Sequence, residues 1–70
     1  MLFRIECLTE ATDETSVCRV RIVDADNLAA AEQLAWADAV GAWDAHKPAG
    51  FQIRDIQQGG QIVTAETFTD

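Results

Sequence analysis

The sequence predicts an α+β fold of order β-β-α-β-β: a four-stranded, mainly antiparallel sheet with one helix packed on one face. Three observations carry this. Two N-terminal stretches alternate apolar and polar residues, an Ala-rich run of helix formers follows, and two apolar runs joined by Gly59-Gly60 close the chain. No repeat, low-complexity tract or linker interrupts residues 1–70, which read as a single domain.

Residues 2–9 place Phe3, Ile5 and Cys7 on one side and Arg4 and Glu6 on the other, the period of a half-buried strand. The polar run from Glu10 to Ser16 reads as a turn. Residues 17–24 alternate again, with Cys18, Val20 and Ile22 expected inward and Arg19 and Arg21 outward. A hairpin tip near Thr12-Asp13 sets Cys7 opposite Cys18, Glu6 opposite Arg19 and Arg4 opposite Arg21. Asp24, Asp26 and Asn27 supply capping oxygens for a helix from Leu28 to about Ala45. Along it Leu28, Ala31, Ala35, Ala39, Ala42 and Trp43 share one side, with Trp36 at the edge. Small side chains let the helix lie close to a sheet, and the tryptophans fill space at its flank. Gly41 weakens its last part, and His46-Lys47-Pro48 ends it, because the residue before proline avoids helical geometry.

Phe51, Ile53 and Ile56 mark a third strand to about Gln57, Gly59-Gly60 a tight turn, and Ile62, Val63, Ala65 and Phe68 a fourth strand. Alternation in these two is imperfect, as a bulge or a second covered face would make it. Val17, Val23 and Ile56 are left for the outer face of the sheet, and Leu34 lies off the helix stripe. Leftover apolar surface of this kind marks a partner or self-association site, and a homodimer is one expectation.

Twelve acidic against five basic residues give a net charge of −7. That disfavours direct binding to nucleic acid, which rests on Lys and Arg neutralising phosphates, and docking on an anionic membrane. The longest apolar run, Leu28 to Val40, is interrupted by Glu32, Gln33 and Asp38, so nothing spans a bilayer. Arg4 and Glu6 break any signal-peptide core, and the expected location is the cytoplasm. One small core offers little scaffold for catalysis, so no enzyme is expected. Two cysteines at this spacing match no redox or metal motif, and with His46 the single histidine neither zinc nor another cofactor is expected.

Each candidate residue has a functional and a plain reading. Cys7 and Cys18 form either a redox pair or two small core residues, and the second is favoured in a cytoplasmic protein. Arg4, Arg19 and Arg21 would make a basic cluster on the open sheet face, able to hold a phosphate or an acidic segment, or else a solvated face partly neutralised by Glu6. His46 lacks a nucleophile partner and suits the carbonyls at the helix end. Glu32 falls inside the apolar stripe, where a carboxylate held against apolar surface can do acid–base work. The acidic residues are the most informative: Glu10, Asp13 and Glu14 in the first loop, Asp24 and Asp26 at the next reversal, and Asp38 and Asp44 near Trp36 and Trp43. They act either as solubilising charge or as an imitation of phosphates that occupies a basic groove on another protein.

Length, acidity, the β-β-α-β-β order and the lack of an enzyme motif make the chain resemble the small acidic proteins that phages and other mobile elements encode against host defence, anti-CRISPR proteins above all. The resemblance spans the whole chain in general character, without a diagnostic motif. The strand-to-helix segment from Asp24 to Glu32 recurs in many unrelated small proteins. What the resemblance implies is a non-enzymatic inhibitor that binds a CRISPR effector complex, or another basic nucleic-acid-binding protein, and blocks its guide or target-DNA surface. Glu10, Asp13, Glu14, Asp24, Asp26, Asp38 and Asp44 are the expected partner-binding residues. Two other classes stay open: a homo-oligomeric accessory subunit, and a small ligand-binding domain using Glu32, His46 or the arginine face.

Overall fold

The alternating run at the N-terminus forms β1 (Leu2–Leu8), which pairs antiparallel with β2 (Val17–Asp24). Helix α1 (Leu28–His46) follows, then β3 (Gly50–Asp55) and β4 (Gln61–Thr67), and the sheet order is β2-β1-β3-β4 with every neighbour antiparallel. This α+β architecture, seen in a computed structural model that describes residues 1–68, is the one the sequence predicts. Thr69 and Asp70, the end of the expected domain, lie outside the described residues.

Asn27 caps α1, its Oδ1 accepting from the Ala30 N–H at 2.8 Å. Lys47 ends the helix in the left-handed region at φ 45°, donating its N–H to the Trp43 carbonyl, and buried Pro48 follows. Ala31, Ala35, Ala39 and Ala42 bring α1 down onto Phe3 and Ile5 of β1, Val23 of β2, and Phe51 and Ile53 of β3. The helix packs mainly on β1, β3 and β2, leaving the flank beside β4 open. Leu34, off the predicted stripe, packs against the core.

The register of β2 corrects the expected pairing. Leu8 pairs with Val17 but Cys7 pairs with Arg19, so Cys18 is an extra residue at a bulge. One inserted residue exchanges the faces of everything after it. Cys18 therefore does not oppose Cys7. Val23 points into the core, Arg19 and Arg21 share the helix side with Cys7 and Ile5, and Val20 and Ile22 point to the outer face.

The third strand is shorter than expected. Ile56–Gln58 form a 3-10 turn, with the Asp55 carboxylate accepting from the Gln57 N–H at 3.0 Å, and this takes Ile56 out of the sheet. Gly59 and Gly60, at φ 77° and 79°, make the reversal that other residues resist. The irregular alternation of β4 is a second bulge: Thr64 pairs with Ile53 and Ile62 with Arg54, leaving Val63 between them.

Candidate functional site

Trp36, Val40 and Trp43 recur at helical spacing on the flank of α1 that overhangs the β4 side of the sheet. Trp36 meets Phe51 edge-on at 5.1 Å between centroids and Phe68 at 5.1 Å, tilted by 37°. Phe68 is held just beyond β4 by its N–H, which donates to the Ala49 carbonyl at 2.8 Å. Between them lies an open groove of about 300 Å³, lined by Trp36, Ala39, Val40, Trp43, Asp44 and Phe68. Both indoles remain 46% exposed and Val40 74%, unusual for three large apolar residues on one flank.

Carboxylates border this groove. Asp44 lines it, and Glu32 stands one turn before Trp36 and accepts from Thr64 Oγ1 at 3.4 Å. Glu66 lies opposite Phe51 in the β3–β4 ladder. None of the lining residues is basic. Sequence reasoning took the tryptophans as space fillers. Trp43, expected on the Ala stripe, instead lies beside it on the exposed flank with Trp36; the signal that could have identified the pair is the 36, 40, 43 spacing.

The seven expected partner-binding acids do not form one track. Glu10, Asp13 and Glu14 lie in the loop at one end of the β1–β2 hairpin; at its other end Asp24 is the last residue of β2, paired with Leu2, and Asp26 lies just past it. Asp24 pairs with the N-terminal ammonium at 3.1 Å and, with Asp26, borders a second hollow that includes Gln33 and Leu34. Asp13 accepts from the Thr15 hydroxyl and N–H at 2.6 and 2.9 Å, which hold its carboxyl below the usual range. Asp44 belongs to the groove.

Asp38 is not a surface carboxylate. Its side chain is 2% exposed, with Arg19 Nε at 3.2 Å and Arg21 Nη1 at 3.8 Å from Oδ1. The Cys7 thiol donates to Oδ2 at 3.8 Å. Burial first, then the adjacent Asp38 charge, pushes that thiol up to about 11. Cys18 Sγ donates to the Cys7 carbonyl at 3.4 Å, and both thiols are free.

The expected arginine cluster is likewise divided. Arg19 and Arg21 flank Asp38 beneath the sheet, whereas Arg4 lies on the outer face. There Glu6 receives Arg54 Nε at 2.8 Å, Gln52 Nε2 at 2.7 Å and Arg4 Nε at 3.1 Å. Burial alone would push the Glu6 carboxyl up. The hydrogen bonds from Arg54 and Gln52, with the charges of Arg54 and Arg4, outweigh it and hold the group below its ordinary value. His46 is exposed in the last turn of α1, away from Glu32 in its second turn. Among the described residues no three His, Cys, Asp or Glu side chains gather as a metal site, and no helix is long and apolar enough to cross a membrane.

No protein-family model, curated protein or solved structure matches the chain significantly.

Proposed function

We propose that this protein acts by binding another protein, a basic one that handles nucleic acid, and inhibits it by occupying the surface its nucleic acid would use. A CRISPR effector complex is the target class that the resemblance in length, acidity and element order implies. The observation that carries the reading is the groove, where exposed aromatic anchors and carboxylates stand side by side. Trp36 and Trp43 offer large, stiff faces of the kind that dominate binding energy, and both attract a Lys or Arg laid over them. Asp44 and Glu66 then supply the opposite charge, while the net charge of −7 steers a basic partner inward and makes association salt-sensitive. No bond is made or broken; inhibition is occupancy.

The test is binding to a panel of purified CRISPR effector complexes, with target-DNA cleavage as the second readout. Trp43→Ala and Asp44→Lys are each expected to weaken binding about tenfold or more while leaving the circular dichroism unchanged. Cleavage unaffected across the panel would remove the effector complex as the target. A partner held equally well by both variants would remove the groove as the site.

A further inference from the structure

The outer face of the sheet, opposite α1, has two unlike halves. Over one half the loop between β1 and β2 folds back onto the sheet: Gln52 Nε2 on β3 donates to the Glu14 carbonyl at 3.2 Å, reaching past β1. Leu8, Glu6 and Gln52 are consequently buried on a face that carries no helix. This ridge bears Glu10, Asp13 and Glu14. The other half is bare floor. Leu2 of β1, Val20 and Ile22 of β2, and Ile62 of β4 surround Arg4 and Arg54 there, and Ile22 is 62% exposed. Two guanidinium groups share the single Glu6 carboxylate, so the triad keeps a net positive charge.

From this arrangement we infer that the outer face is a homodimer interface, closed by a second copy of the chain. A two-fold rotation about an axis through the face lays the acidic ridge of each copy on the basic, aliphatic floor of the other. It satisfies the isologous requirement that one patch serve as both donor and receiver. The groove side does not meet that requirement, because a two-fold there would bring Glu32, Asp44 and Glu66 toward their own copies. A 70-residue chain with one thin core also gains stability from burying this floor. The inference is independent of the function proposed above.

Sedimentation of the full chain over a concentration series tests it. The expected result is a species of twice the 7.7 kDa chain mass. Ile22→Lys, at an exposed position, is expected to raise the dimer dissociation constant about tenfold or more. Glu14→Lys is expected to do so at low salt and much less at high salt. Val40→Lys, on the opposite side of the molecule, leaves dimerisation unchanged. A monomer at every concentration overturns the inference. So does a dimer indifferent to Ile22→Lys, and one broken by Val40→Lys would place the self-contact at the groove instead.

Discussion

Three donors converge on the buried Glu6 carboxylate, so its charge is expected to matter more to stability than that of any loop acid. Glu6→Gln keeps the shape and loses the charge, and should cost about 1–2 kcal/mol at neutral pH, since Arg4 and Arg54 still reach water. Because the folded-state pKa is depressed, this contribution is complete above the unfolded carboxylate value. It fades as pH falls through the folded one. Urea unfolding at neutral and acid pH should therefore show a shallower acid loss of stability in Glu6→Gln than in the parent chain. An identical acid limb in both would assign that loss to other carboxylates. The thiols make a second contrast. Cys7 is buried against Asp38 with its pKa pushed up to about 11, so hardly any thiolate exists at neutral pH. Cys18 is half-buried at the bulge. A thiol-reactive dye is expected to label Cys18 in the native protein and Cys7 only on unfolding; equal rates would contradict the packing around Asp38.

Helix α1 is the element whose ends were most legible, since Asn27 carries the chemistry of a helix start and Pro48 that of a helix stop. Lys47 holds a positive φ that a side chain resists, so Lys47→Gly is expected to stabilise the fold by about 0.5–1 kcal/mol. Asn27→Ala should cost about 1 kcal/mol by freeing the Ala30 N–H. Thermal unfolding of the two variants separates them by sign. β2 was legible as a strand but not in its facing. Alternation reads equally well in either parity, and only the bulge at Cys18, which no local composition announces, decides between them. The consequence reaches α1, because Asp38 falls within the Ala stripe and a charge there needs a partner. Arg19 and Arg21 are that partner once β2 is turned over. At β4 the irregular alternation did signal a bulge. Gly50, by contrast, gave no warning of its role: a Cβ there would run into the Glu66 carbonyl, so Gly50→Ala should cost about 1–3 kcal/mol.

At the scale of the whole molecule, the two proposed surfaces lie on opposite sides of the sheet and differ in chemistry. The groove combines aromatic rings with carboxylates; the outer face combines aliphatic side chains with a charge step. In a dimer closed through the outer faces, both grooves point away from the contact, so each dimer presents two sites to a partner. That geometry separates intrinsic affinity from avidity. With the partner in solution and the protein immobilised sparsely, Ile22→Lys should bind each partner as tightly as the parent chain, because Ile22 does not line the groove. With the partner immobilised densely, the parent dimer can hold two copies at once and should dissociate much more slowly than Ile22→Lys. Trp43→Ala should lose affinity in both formats. If Ile22→Lys instead weakened binding in the sparse format, the outer face would itself be touching the partner. The assignment of one face to self-association and the other to the target would then fail.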